Sequence, residues 1–113
     1  MQRKILKYLY DIQESIGSIY DYLDNRMDFN NYKSNKLLRR AVERELEIIG
    51  EATNRILKIN AEINISNSKR IVSLRNWVIH GYDKVDDVII WGILSKDLPL
   101  LKNQINDLIS KMK

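Results

Sequence analysis

The stretch ILKYLYDIQESIGSIYDYL, residues 5–23, decides the predicted fold class of this chain. Its apolar side chains recur at steps of three and four residues, at Ile5, Leu9, Ile12, Ile16, Ile19 and Leu23. Because an α-helix turns once about every 3.6 residues, this spacing aligns the side chains in one apolar stripe. The stretch therefore predicts an amphipathic helix over residues 3–25 that packs on other helices.

The rest of the chain also favours helices. One proline and four glycines leave few interruptions, and no alternating apolar–polar run of useful length indicates a strand. A second helix is predicted at residues 32–58, with its buried side at Leu38, Ala41, Val42, Ile48, Ile49, Ala52, Ile56 and Leu57. Residues 60–67 have no sustained period and are expected to form a loop, in which Ser66 or Ser68 can cap a third helix.

The remaining boundaries come from capping signals. The third helix is expected to end at His80, because Gly81 suits the left-handed conformation that often follows a helix. A fourth helix is predicted to start at Asp83 or Asp86. At residues 97–99, DLP, an aspartate cap followed by proline predicts the start of a final amphipathic helix. The chain thus predicts an all-α fold, an up-and-down bundle of four to five helices.

Composition excludes several kinds of site. The chain of 113 residues has no cysteine, which excludes disulfides and thiolate metal sites, and its one histidine excludes a cage of histidines. No cluster of Asp and Glu suggests a magnesium site, so neither a metal nor another cofactor is expected. The formal net charge of +4, from 19 basic and 15 acidic residues, leans toward anionic partners but is too small to identify nucleic acid.

The sequence predicts a cytoplasmic protein. Its longest apolar runs, such as VIIW at residues 88–91, are far too short to cross a bilayer. The amino-terminal segment MQRKILKYLYDIQE carries charges every few residues and lacks the apolar region and cleavage site of a signal peptide. No membrane contact is therefore expected.

The candidate chemistry lies in SLRNWVIHGYDKVD, residues 73–86, here called the motif segment, which holds Arg75, Asn76, His80 and Tyr82. Cleavage of RNA without a metal needs a base for the 2′-hydroxyl proton, an acid for the departing 5′-oxygen and a cation near the phosphate. Histidine can serve in either proton transfer, and the arginine fork fits phosphate. Since one chain supplies a single histidine, a two-fold dimer would bring two sets of these residues into one cleft.

A purely structural role is the alternative, and residue types alone favour it. His80 can close the end of a helix, where its charge interacts favourably with the helix dipole. Arg75 can be a surface residue and Tyr82 a half-buried packing residue. On an ideal helix Arg75 and His80 point about 140° apart, so a shared site needs a loosened helix end or a second copy of the chain.

Three segments together resemble the HEPN-domain ribonucleases, specifically the HepT toxins that are paired with the minimal nucleotidyltransferase antitoxin MntA. Residues 75–82 have the form R-N-x-x-x-H-x-Y, and AVERELEIIGEA at residues 41–52 resembles the second helix of that family. HGYDKVD at residues 80–86, followed by DLPLLKNQI at residues 97–105, resembles its carboxyl-terminal third. The likeness covers nearly all of a single domain, residues 1–113.

The resemblance implies a homodimeric, HEPN-like all-α domain with its cleft at the two-fold axis. It implies metal-independent endoribonuclease activity on RNA, with Arg75 and His80 as catalytic residues and Asn76 supporting them. It also implies that the antitoxin uses ATP to add AMP groups to Tyr82, which makes the chain the toxin of a toxin–antitoxin pair. The alternative is a non-catalytic partner module for a nucleotidyltransferase, and a purely structural dimerisation bundle ranks last.

Glu51, in the second predicted helix, is a further candidate. The simpler interpretation is a surface ion pair with Arg55, four residues later. In the sharper interpretation, Glu51 faces the cleft and holds an active-site side chain.

Overall fold

The computed structural model describes residues 2–79 and 87–113, and for residues 75–79 it describes the backbone alone. The α-helices in these ranges are α1 (Gln2–Tyr22), α2 (Phe29–Ser34), α3 (Lys36–Ile59), α4 (Lys69–Ile79), α5 (Asp87–Gly92) and α6 (Leu98–Met112). A 3₁₀ turn at Ser66–Ser68 leads into α4, and a π-helical segment at Ile93–Asp97 joins α5 to α6. The described residues contain no strand, so the predicted all-α class is confirmed.

The apolar stripe of α1 is buried in the core, as predicted. α3 and α6 both pack against α1, and α4 packs against α3. α1 ends at Tyr22, earlier than predicted, because Asp24 and Asn25 adopt left-handed backbone conformations with φ of 57° and 55°. None of the described helices combines the length and the apolar character needed to span a membrane.

The predicted second helix is wrong at its start, because the chain breaks at Asn35. Asn35 has an extended backbone (φ −108°, ψ 98°), and its side chain accepts a hydrogen bond from the Leu38 N–H at 3.0 Å. Asn35 thus caps α3, and α2 is a separate short helix capped by Asp28. The buried side of α3 also includes Leu46 and Thr53, which the sequence pattern did not predict.

The predicted aspartate cap of the last helix is also wrong. Asp97 has a helical backbone (φ −75°, ψ −40°), and α5, the π-helical segment and α6 form one continuous rod, residues 87–112. At the end of the π-helical segment the Leu98 N–H bonds to the carbonyl of Ile93, five residues back. Because Pro99 has no N–H and its ring would crowd the carbonyl one turn earlier, the wider π turn accommodates proline inside the rod.

Candidate functional site

In the sequence, the motif segment begins within α4 and ends directly before α5, the first part of the rod. Arg75 and Asn76 are in the second half of α4, which ends at Ile79, and the structure describes their backbone alone. His80 and Tyr82 lie outside the described residues, as do the predicted end of the third helix and the predicted start of the fourth. The structure therefore describes the two helices that flank the site, and the mutual geometry of the four side chains stays a prediction.

The start of α4 is fixed on the rod by an ion pair. Arg70 donates two hydrogen bonds to Asp97, from Nε to Oδ2 at 2.8 Å and from Nη2 to Oδ1 at 3.3 Å. The guanidinium also lies against Gly92, where an added Cβ would be 3.3 Å from Nη2. On its apolar side, α4 buries Ile71 and Leu74 in the core. Polar and apolar contacts thus both hold the helix that carries Arg75 and Asn76.

The start of the rod is fixed on α2 and α3. Trp91 lies against both Phe29 and Tyr32, with ring centroids 5.5 Å apart in each pair. Arg39, in the first turn of α3, approaches Asp87 with its Nε 4.0 Å from Oδ1. Asp87 directly follows the motif segment in the sequence. The start of the rod, which follows the motif segment in the sequence, therefore packs at the end of the bundle formed by α2 and the start of α3.

A partly buried polar cluster accompanies these contacts. Tyr32 is fully buried, and its hydroxyl has no hydrogen-bond partner among the described residues. Burial raises the pKa of Tyr32 and is also the largest cause that raises the pKa of the Glu43 carboxyl. Arg40 opposes the rise in the pKa of Glu43, and the Asp87 carboxylate adds to it. This end of the bundle thus holds a carboxyl group that keeps its proton to higher pH than an ordinary glutamate does.

Glu51 lies farther along α3, at a groove between α1 and α3. Its Oε1 accepts hydrogen bonds from Arg55, at 3.2 Å from Nε and 2.9 Å from Nη2. This bond is the largest cause that raises the pKa of the Arg55 guanidinium. The residues that line the groove are Tyr8, Asp11, Arg44, Ile48, Glu51, Ala52 and Arg55. The predicted surface pair is confirmed, and a contact between Glu51 and the motif segment stays a prediction.

The sequence matches the model of a known protein family. A family model described as Ribonuclease HepT-like matches residues 5–108, a range that includes the whole motif segment. The chain belongs to the HepT-like ribonuclease family. The resemblance that three sequence segments indicate is thereby confirmed at the level of the family.

Curated relatives of this HepT-like chain carry ribonuclease names. "Putative RNase MJ1380" of Methanocaldococcus jannaschii is 36% identical over 106 residues, which cover 92% of this chain and 95% of the relative. "Probable ribonuclease HepT" of Thermococcus cleftensis is 33% identical over 112 residues, which cover 96% of this chain and 98% of the relative. No solved structure matches the chain.

Sequence reasoning missed Arg39, Tyr32 and Glu43, which gather at the start of the rod of this HepT-like chain. Arg39 and Glu43 belong to a run of alternating charges that is typical of a solvated helix face. Tyr32 stands at the start of a helix that the pattern predicts as continuous. The available signal was Asn35, a strong N-cap residue, because a break there separates α2 from α3 and turns Tyr32 into the core.

Proposed function

We propose that this HepT-like chain is a metal-independent endoribonuclease that cleaves RNA by attack of a 2′-hydroxyl on the adjacent phosphodiester. The match of residues 5–108 to a ribonuclease family is the observation that carries the proposal. The residue types of the motif segment supply a proton-transfer group and a phosphate-binding cation. The two helices that flank the segment are each tied to the bundle, at Arg70 and at Asp87, which supports a site held on rigid elements.

Arg75 and His80 are the proposed catalytic residues. As O2′ bonds to phosphorus, a neutral histidine takes the 2′-hydroxyl proton, and as the P–O5′ bond breaks, a protonated histidine gives a proton to the departing 5′-oxygen. Arg75 stabilises the negative charge on the phosphate oxygens, and Asn76 donates a hydrogen bond or orients its neighbours. The products are a 2′,3′-cyclic phosphate and a 5′-hydroxyl.

A homodimer belongs to the proposal because the reaction uses two proton transfers and each chain has one histidine. In a two-fold dimer each copy contributes Arg75, Asn76 and His80 to a shared cleft. The first turn of the rod supports a contact surface near the site, since Val88 is 67% exposed and Ile89 is 47% exposed.

Regulation by a partner completes the proposed function. In this proposal the chain is the cytoplasmic toxin of a toxin–antitoxin pair, and an MntA-like nucleotidyltransferase transfers AMP from ATP to the hydroxyl of Tyr82. The added phosphate is negatively charged and the nucleoside is bulky. Both would oppose the entry of RNA into a cleft that binds phosphate.

RNA cleavage by the purified chain, with and without the substitution His80→Ala, tests this function. The substitution should abolish cleavage and leave the dimer intact in size-exclusion chromatography. Products of the unmodified chain should end in 2′,3′-cyclic phosphate, and a chelator should not slow their formation. Full cleavage by a clean His80→Ala preparation would contradict the mechanism. Labelling of Tyr82 by a nucleotidyltransferase, without RNA cleavage by the isolated chain, would favour the non-catalytic partner function.

A further inference from the structure

Positive charge is concentrated in one short stretch of this chain. Residues 29–42, FNNYKSNKLLRRAV, contain four basic residues and no acidic residue. Their formal charge equals the net charge of +4 of the whole chain, so basic and acidic residues balance over the remainder. The excess positive charge therefore lies on α2 and the first two turns of α3.

Three basic side chains form an exposed line along α3. Lys36, Arg40 and Arg44 are spaced four residues apart, so they are neighbours on one face of the helix, and all three are exposed. The line is about 12 Å long at a rise of 1.5 Å per residue. At the end of α2, Lys33 is also exposed, and its carbonyl accepts a hydrogen bond from Arg39 at the start of α3. The backbone of Lys33 thus lies beside Arg39, near the start of the line.

The acidic side chains in this part of α3 leave the line largely positive. Glu43 is partly buried, and Glu45 accepts a hydrogen bond from the Tyr22 hydroxyl at 3.0 Å. Glu47 approaches Arg44 at 3.7 Å, yet the Arg44 side chain stays 69% exposed. Glu47 therefore offsets positive charge at the far end of the line, and Glu43, whose charged form Arg40 favours, offsets part of it at Arg40.

The line begins near Asp87, the first described residue after the motif segment. Arg39, which belongs to the same basic stretch, approaches Asp87 at 4.0 Å, and Asp87 directly follows the motif segment. Between Tyr82 and Asp87 the chain can span at most about 18 Å. A strand of RNA bound at the motif segment would therefore need only a few nucleotides to reach Lys33 and Lys36.

We propose that Lys33, Lys36, Arg40 and Arg44, here called the basic track, bind phosphates of the RNA strand next to the cleaved bond. This role rests on the proposed ribonuclease function. Stacked nucleotides of one strand each rise about 3.4 Å along the helix axis, so a line of this length is comparable to the axial length of a few consecutive nucleotides. Because lysine and arginine contacts to phosphate carry no base information, the track contributes affinity and position without sequence preference.

Binding of RNA to a charge-reduced variant tests the track. Lys33, Lys36 and Arg40 are replaced together by glutamine in the inactive His80→Ala chain, and the Kd for a labelled single-stranded RNA of about 20 nucleotides is measured across salt concentrations. Each lost phosphate contact on a single strand should reduce the slope of log K against log salt by about 0.7, or about 2 for all three. The Kd at low salt should rise at least about tenfold.

A matched control removes the same charge at the opposite end of the bundle. Near the end of α1 the Tyr22 hydroxyl donates a hydrogen bond to Glu45, and near its start Tyr8 lines the same groove as Arg55. The helices α1 and α3 therefore run antiparallel. α6 also runs antiparallel to α1, because Lys102 lies over the Tyr20 ring and Gln13 donates a hydrogen bond to Asn106. The control therefore replaces three exposed lysines in the first turn of α1 and the last turns of α3 and α6, namely Lys4, Lys58 and Lys111. Its Kd should stay within about threefold of the unmodified value. Equal losses in the two triple variants would overturn the track, because net charge alone would then explain them.

The same variants separate the track from a docking surface for a protein partner. Leu37 is 81% exposed beside Lys36, so a protein interface would also need this leucine, whereas phosphate binding would not. Leu37→Ser should leave the Kd for RNA unchanged. If the glutamine variant binds RNA normally but fails to bind a nucleotidyltransferase, the basic residues serve the partner and the proposed track is wrong.

The experiments distinguish an error in the proposed RNA-binding role of the basic track from an error in the proposed ribonuclease function. Binding in the His80→Ala chain does not depend on cleavage, so a raised Kd in the glutamine variant supports the track even if the unmodified chain cleaves nothing. Cleavage that requires His80, together with normal RNA binding by the glutamine variant, would keep the ribonuclease and reject the track. Absence of RNA binding by the unmodified chain rejects the track outright.

Discussion

Arg70 and Asp97 join the helix that carries the motif to the π-helical segment of the rod through two hydrogen bonds, of 2.8 and 3.3 Å. The carboxylate is the more buried partner, since the Asp97 side chain is 20% exposed and the Arg70 side chain 50%. Its hydrogen bonds are the largest cause that raises the pKa of the Arg70 guanidinium. Asp97 therefore serves as a tertiary contact and not as a local helix cap.

Replacement of Asp97 by asparagine should weaken this contact without changing the size of the side chain. Because a paired, partly buried carboxylate contributes more than an exposed one, we expect the free energy of unfolding to fall by about 1 kcal/mol. Asp11→Asn is the control, since it breaks the exposed Lys7–Asp11 pair at 2.9 Å and should cost at most about 0.5 kcal/mol. Urea denaturation measures both variants. Equal losses would show that the Arg70 contact is no stronger than a surface pair.

Two helical glycines should respond differently to alanine. A Cβ at Gly17 meets nothing within 4 Å, so Gly17→Ala should raise the free energy of unfolding by about 0.5–1 kcal/mol through helix propensity alone. A Cβ at Gly92 would be 3.3 Å from Arg70 Nη2, and the guanidinium would have to shift from its place beside Asp97. We therefore expect a smaller gain, or a loss, for Gly92→Ala. Thermal unfolding of both variants tests this, and equal gains would mean that the guanidinium moves freely.

The sequence predicts those parts of the fold that one local pattern determines. The stripe from Ile5 to Leu23 has a single face that can be buried, so its helix and its core side follow from spacing. Asp97 is different, because aspartate before Leu-Pro has the signature of a helix start. Its actual partner, Arg70, is 27 positions away, and no local pattern reveals such a contact.

The same limit applies to the candidate site. The residue types of Arg75 and His80, and the family resemblance, are readable from the sequence alone. The surroundings of the site are not, because Arg39 lies near Asp87 only after α2 separates from α3 at Asn35 and the rod packs there. The alternation of charges along α3 predicts a solvent-exposed Arg39. The packing of the rod against α3 instead brings Arg39 near Asp87.

Substitutions of Tyr32 test whether its buried hydroxyl has a hydrogen-bond partner. Since that oxygen is buried without a partner among the described residues, its removal should not lose a hydrogen bond and should relieve a desolvation cost. Tyr32→Phe should therefore raise the free energy of unfolding by about 1 kcal/mol. Tyr32→Ala should lower it by about 3–5 kcal/mol, because it also removes the ring that lies against Trp91. Chemical denaturation distinguishes these outcomes, and a large loss for Tyr32→Phe would show that the hydroxyl has a bonding partner.

Glu43 should make stability depend on pH. Burial is the largest cause that raises its pKa above the ordinary 4.5, so between these two pKa values the folded chain holds a proton that the unfolded chain has released. The free energy of unfolding therefore gains from this group at low pH and falls as pH rises through the window. Glu43→Gln should flatten this fall, which urea denaturation from pH 4.5 upward would measure. An identical pH dependence in both chains would show that Glu43 ionises in the folded state as it does in the unfolded state.

Glu51 and Arg55 form a matched pair for testing whether Glu51 acts on the site. If the carboxylate only pairs with Arg55 at 2.9 Å, then Glu51→Gln and Arg55→Gln should both leave RNA cleavage unchanged. If Glu51 instead holds a side chain of the motif segment, Glu51→Gln should lower kcat about tenfold or more with little change in KM, because a misplaced catalytic side chain weakens transition-state binding more than substrate binding. Arg55→Gln should keep kcat, since it leaves the carboxylate in place. Steady-state kinetics of these two variants distinguish the surface pair from a role at the site. Glu51→Asp should recover part of the activity if the negative charge itself holds a side chain of the motif segment. Equal kcat values for Glu51→Gln and the unmodified chain would reduce Glu51 to a surface residue.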